Sequence, residues 1–437
     1  MAAAGRSRSP AVRTALLAGV YPALVLATTS ACGGDLEEPA SAAAAREPVP
    51  EATVEVPTPE PSPPTPAPKP TPVPGAPYTP SEAPPPVDRD ITSVDLSDVV
   101  FDTFQGGYFP LSEANDRAVE RLRDAIRPIY EPVYEPREGG DWLSDGDFVI
   151  GYAAGEEAYA YPLKILNRHE IVHDLVDGVP ILVSYCPLCA SAVVYDRRLD
   201  DRVLVFGNTS ALYESDMVMY DHQTGSYWFQ VAGEAIVGEL TGRRLEPLPS
   251  ITISWGEWKE LHPDTLVLSR DLGLIPSGSS RYETDPFERS PERLDSVGPP
   301  FPVSAEKMDV RLRASDKVFA VEVGDSRKAY HLVPERSWLV NDTVGGRSIV
   351  VLVRGKESPG ARAFFSDVDG MRLHLKPDGG VMVDNETGSR WDDTGLAVSG
   401  KLEGVRLEAV PSRTSFWFSL VGAFPGIDLL VPGEGGS

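Results

Sequence analysis

The sequence predicts a β-rich protein with a few short helices, arranged as two tandem copies of one domain. Three observations carry that reading. From Phe148 onward, short β-branched and aromatic runs alternate with turn residues, at lengths that suit strands. Helical periodicity is confined to brief stretches. A series of motifs between His173 and Trp255 returns in the same order between Asn341 and Trp417.

The 437 residues are enough for two or three domains. The N-terminus has the pattern of an export signal. Arg6, Arg8 and Arg13 form a basic region, Ala15 to Ala27 an apolar one, and Thr28-Thr-Ser-Ala31 leads into Cys32. Small residues ending at a cysteine resemble a bacterial lipobox, in which the thiol carries the lipid. Thr29 stands where such boxes usually have Leu, so an ordinary secretory signal is the alternative. Either way the mature protein is expected outside the cytoplasm, anchored by lipid at Cys32 in the first case. No run of 18 apolar residues follows, so no membrane-spanning helix is expected beyond the signal. The formal charge of −25 repels phosphate backbones and argues against nucleic acid as a partner.

Residues 33–89 hold much of the chain's proline. From Glu37 to about Pro86 there are too few apolar side chains to offset the entropy of ordering, so this stretch reads as a disordered, extended stalk. Order is expected from about Asp90, through a helical lead-in over 90–146. Within it, Ser112 to Arg127 carries Val119, Leu122 and Ile126 on one face and stops at Pro128, the pattern of an amphipathic helix. Strands are expected over Phe148–Tyr152, Ala158–Tyr161, Glu170–Val176, Ile181–Tyr185, Val193–Tyr195 and Val203–Phe206. Asp177-Gly178 supplies a hairpin turn. Ser254-Trp-Gly-Glu257 is a capping box that opens a short helix to Leu261.

The repetition is seen residue by residue. Met219-Tyr-Asp-His-Gln-Thr-Gly-Ser-Tyr-Trp228 returns as Met382-Val-Asp-Asn-Glu-Thr-Gly-Ser-Arg-Trp391. The run Ala235 to Glu246 returns at Ala397 to Glu408, Pro249-Ser250 at Pro411-Ser412, and Trp255 at Trp417. A period this long marks a doubled domain, 147–270 and 316–437, joined by a polar linker over 271–315. Arg354 stands in the second copy where Cys186 stands in the first, so the first copy is the expected working half.

Ala160-Tyr-Pro-Leu-Lys-Ile-Leu-Asn-Arg-His-Glu-Ile-Val-His173, Tyr185-Cys-Pro-Leu-Cys189 and Tyr220-Asp-x-x-Thr-Gly-Ser-x-Trp228 follow one another in order. Together they resemble a bacterial family catalogued as domain of unknown function 3179, from about Asp147 to the C-terminus. The resemblance implies no activity. The family pattern usually has Asn where this chain has His173.

Cys186 and Cys189 are the soft groups of the folded part, and three readings stand. A Cys-x-x-Cys pair can form a readily exchanged disulfide, with Cys186 and Cys189 catalytic and Glu170 beside them. Two thiolates from one turn, completed by His169, His173 or His222, can hold zinc or copper. Or the pair is an inert disulfide in a non-enzymatic surface-binding module. No second Cys-x-x-Cys exists, which excludes a four-cysteine zinc site within one chain. His169-Glu-Ile-Val-His173 matches the zinc-protease letters, but that chemistry needs both histidines on one helix, and here a strand is expected. The Asp221-x-x-Thr-Gly-Ser-x-Trp228 unit reads as a tight turn over a packed tryptophan, with carbohydrate stacking as the alternative. Asp196 and Arg197 read as a solvated pair.

Overall fold

The computed structural model describes residues 83–274, 280–288, 290–355 and 360–433. The export signal, Cys32 and nearly all of the Pro-rich stretch lie outside the described residues. What is described is β-rich with a few short helices.

Six strands and three helices position the region around the cysteines. Helix α1 is Leu163–His169, followed by β1 (Ile171–Val176), β2 (Val179–Cys186) and β3 (Ser191–Asp196). Next come β4 (Phe206–Tyr213) and β5 (Asp216–Asp221), and far downstream α2 (Ser290–Val297), β6 (Ser412–Phe416) and α3 (Trp417–Ala423). Strands β1, β2 and β3 form an antiparallel meander. Asp177 and Gly178 both take φ > 0 in its first turn, as the twist of a two-residue hairpin requires. The sheet continues past β3 into β6, where Thr414 pairs with Ala192, and then into Lys317–Val323, Ser326–His331 and Asp428–Leu430. Residues from both halves of the sequence therefore share one sheet. Strands β4 and β5 belong to a second sheet with Tyr227–Phe229, Glu234–Val237, Val100–Asp102 and Tyr108–Pro110. A buried apolar cluster joins the two sheets and takes Leu182, Val193 and Phe416 from one and Phe206, Met217 and Trp228 from the other. Cys186 and Cys189 belong to that cluster.

The Asp-x-x-Thr-Gly-Ser-x-Trp units are built alike. Trp228 Nε1 donates to Asp221 Oδ2 at 2.9 Å, and Trp391 Nε1 donates to Asp384 Oδ2 at 3.0 Å. Both indoles are fully buried, so neither offers a face to a sugar. The capping box also forms: Ser254 Oγ accepts from the Glu257 backbone N–H at 3.3 Å, and Trp255 and Trp258 pack inward.

Several expectations are corrected. The helix expected over Ser112–Arg127 is a single 3₁₀ turn, Leu111–Glu113, and a helix over Asp116–Leu122. It ends because Asp124 turns left-handed and pairs with Asn208, donating its backbone N–H at 2.8 Å and accepting the Asn208 N–H at 2.8 Å. Ile126 is thereby left outside the helix. Val203–Phe206 is two strands, Arg202–Val203 and β4, with the chain breaking between them to let Leu204 N bond Arg197 O. Arg197 is 3 % exposed, not solvated, and it donates to the carbonyls of Ile181, Leu204 and Asp174. The linker holds buried side chains, Tyr282 and Leu294, and Leu294 packs in the cysteine cluster.

Gly151 shows how close the packing is. A Cβ there would lie 2.3 Å from the Trp258 ring. Gly151→Ala is expected to cost roughly 1–3 kcal/mol of stability, because the ring has no free space to move into. A lowered urea midpoint at unchanged slope checks it.

Candidate functional site

The β2–β3 connection is the Cys186-Pro-Leu-Cys189 turn, closed by Cys189 N–H donating to Cys186 O at 3.2 Å. Pro187 contributes the fixed φ that suits the first central position of such a turn. The chain leaves it through Ala190, at φ +47°. This brings the two sulfurs to 3.6 Å. They are free thiols, so the inert disulfide, one of the three readings of the pair, is not what the structure contains. Cys186 is 2 % exposed and Cys189 is fully enclosed. Burial pushes the Cys186 thiol up and the Cys189 thiol well above its ordinary range.

Asp216, the first residue of β5, faces them. A ligand atom from each of Cys186, Cys189 and Asp216 lies within 4.8 Å of the other two. Asp216 Oδ2 accepts from Ser191 Oγ at 2.8 Å and from Ser419 Oγ at 2.9 Å. Asp216 Oδ1 is buried and accepts no hydrogen bond. The Cys189 thiol lies 2.9 Å from the Ser215 carbonyl, to which it donates. Burial raises the Asp216 carboxyl to about 6, against the pull of Ser191, Ser419, the Cys189 thiol and the Val231 backbone amide. Ser191 Oγ also reaches Gln230 Oε1 at 2.7 Å, while Gln230 Nε2 donates to Ser184 Oγ at 2.8 Å. One serine proton thus lies within reach of two acceptors.

The loop that delivers Asp216 is strained. Glu214 and Ser215, the two-residue turn between β4 and β5, sit at φ +50° and +61° without being glycine. The linker holds them there. Ser304 donates to the Glu214 carboxylate through N at 2.8 Å and Oγ at 2.5 Å, Lys307 Nζ reaches it at 2.8 Å, and Phe301 N donates to Ser215 Oγ at 3.2 Å.

The histidines are not brought into this group. His169 ends α1 with both ring nitrogens engaged, by Arg127 O at 2.7 Å and Tyr282 OH at 2.6 Å. Glu170 then takes φ +57°, and His173 lies on β1, so the protease letters are split between a helix and a strand. His173 Nε2 accepts the Phe206 N–H at 2.8 Å, and its ring stacks on Tyr130. His222 Nε2 lies 3.1 Å from the Tyr130 hydroxyl, with its ring stacked on Tyr220. Burial lowers all three, His222 to about 4, so they are neutral. Glu170 accepts from Asn208 Nδ2 at 2.6 Å, and burial lifts it to about 8. Sequence reading missed Asp216, Ser191 and Ser419. Ser191 stands two residues after Cys189, but no spacing ties Asp216 or Ser419 to the cysteines, and the one local sign of Asp216 was an acidic residue opening a strand after a polar turn. Two surface hollows, about 340 Å³ beside Pro136 and Pro263 and about 240 Å³ beside Asn341 and His374, are lined by none of the three clustered residues.

The fold and site define a β-rich protein with a dithiol–carboxylate centre closed between two sheets. The chain belongs to the family described as Protein of unknown function (DUF3179), which matches residues 123–426. The match starts upstream of Asp147, where the sequence resemblance began, and takes in both halves. No curated protein and no solved structure matches the chain.

Two expectations follow. Enclosed thiols with raised pKa values react slowly, so a thiol reagent should modify Cys186 and Cys189 at least ~100-fold faster in urea than in the native protein at pH 8. Equal rates would contradict their burial. Glu170 holds its proton to a higher pH in the fold than in the unfolded chain. Its contribution is therefore complete below about 4.5 and is lost as pH rises through about 8. Glu170→Gln should flatten that loss, gaining on the order of 3 kcal/mol on the parent between pH 5 and pH 9. Urea melts at the two pH values measure it.

Proposed function

We propose that this is an exported, lipid-anchored protein that binds one zinc ion through Cys186 Sγ, Cys189 Sγ and Asp216 Oδ1. The observation that carries the reading is the buried, bond-free carboxylate oxygen grouped with two free thiols. A carboxylate oxygen without a donor is costly in a water-free interior. A divalent cation removes that cost, because it replaces the thiol protons and neutralises the carboxylate.

The sulfur separation suits zinc. Two sulfurs at tetrahedral angles around zinc stand about 3.8 Å apart. The 3.6 Å found here is close to that. Three protein donors leave one coordination position for water or a small anion. Thiol–disulfide exchange is disfavoured by the same geometry: both sulfurs are enclosed, burial raises their pKa values, and the turn joins two strands instead of opening a long helix.

The anchor rests on the basic and apolar N-terminal pattern before Cys32, and the stalk on the proline-rich composition up to Pro86. The two halves descend from one duplicated domain. Supporting this are the ordered sequence matches, the alike Asp221–Trp228 and Asp384–Trp391 bonds, and the helices that begin at Trp255 and Trp417. At the position equivalent to Cys186, Arg354 is paired with Asp393 at 2.5 Å, so the second half holds an ion pair where the first holds thiols.

The full chain, purified under reducing conditions, is expected to carry one zinc per molecule by elemental analysis. Cys186→Ser, Cys189→Ser and Asp216→Asn should each lose it, while Cys32→Ser keeps it. Affinity should fall about 100-fold per pH unit below neutrality, since two thiol protons compete with the ion. A metal-free chain with a disulfide that exchanges rapidly with mild thiols would sink the proposal and return the site to redox chemistry.

A further inference from the structure

We infer that Ser419 is a positioning residue for this metal site, so that the C-terminal half of the chain completes a centre whose ligands all lie in the N-terminal half. The inference rests on the zinc reading above and goes beyond it. It gives the second half a part in the site's chemistry, where its sequence suggests only support.

The two halves meet at the cysteine turn. Strand β6 pairs with β3 through Thr414 and Ala192, and Phe416 N–H donates to the Cys189 carbonyl at 2.8 Å. Helix α3 starts at the next residue, and its first turn carries Ser419 inward, fully buried, to donate to Asp216 Oδ2 at 2.9 Å. One half therefore holds the backbone of one ligand and the carboxylate of another.

A carboxylate on a short side chain rotates about its last bond, and either oxygen can face an ion. Here both hydroxyl donors converge on Oδ2, leaving Oδ1 as the bare oxygen. Ser191 alone holds that choice weakly, because its single proton is shared with Gln230 Oε1 at 2.7 Å. Ser419 is the donor without that competition. Outer donors of this kind orient a ligand, and their loss typically weakens metal binding 10–100-fold.

The test titrates the full chain with cobalt(II), whose visible bands report coordination geometry and whose near-ultraviolet bands report bound thiolate. Ser419→Ala should bind cobalt 10–100-fold more weakly, with altered visible bands and unchanged thiolate absorption per bound ion. Ser415→Ala serves as the packing control. Its hydroxyl is buried at the same strand–helix junction but bonds the Phe416 carbonyl, and it should bind as the parent does. A packing defect alone would weaken binding without altering the visible bands of the bound ion. Parent-like binding by Ser419→Ala, or weaker binding with unchanged visible bands, overturns the role of Ser419 alone. A parent chain that takes up no cobalt overturns the metal reading itself.

Discussion

Two thiols and a carboxylate oxygen are held together where water does not reach, and much of the surrounding structure can be read as the means of holding them there. Cys186, Cys189 and Asp216 come from two different sheets. The apolar cluster that packs those sheets together is also what desolvates the three groups. Desolvation raises the carboxyl and both thiols, so without an ion the thiols keep their protons at neutral pH. The stability of the interface and the chemistry of the centre therefore have one cause.

Backbone strain is built into the turns that carry these groups. Ala190, Glu214 and Ser215 all take left-handed conformations without being glycine. Each such residue costs of order 1 kcal/mol or more and persists only when its surroundings over-determine it. At Glu214 and Ser215 those surroundings are visible, since Ser304, Lys307 and Phe301 of the linker grip the turn that delivers Asp216. The linker is thus part of the apparatus that shapes the site. Leu294 adds an apolar hold beside the cysteines.

The C-terminal half contributes in kind. Its strand β6 extends the sheet that carries the cysteine turn, and its helix α3 sends Ser419 to Asp216. It thus bonds both the backbone of the cysteine turn and the carboxylate that faces it.

Local chemistry in the sequence determined a good deal by itself. The β-branched runs flanking Asp177-Gly178 specify a hairpin, the Ser254–Glu257 box specifies a helix start, and Cys186-Pro-Leu-Cys189 puts two sulfurs on one turn, because each depends on residues a few positions apart. Tertiary structure decided what those sulfurs face. The histidines nearest in sequence were drawn off by Tyr282, Tyr130 and the Phe206 amide, while Asp216 was brought in by the pairing of β4 with β5 and Ser419 by the pairing of β6 with β3. The same long-range pairing cut short the helix at Arg123, where Asp124 joins Asn208. Spacing encodes turns and helix faces, but contacts between distant segments are set by which sheets pack and in what register, and no local pattern carries that information.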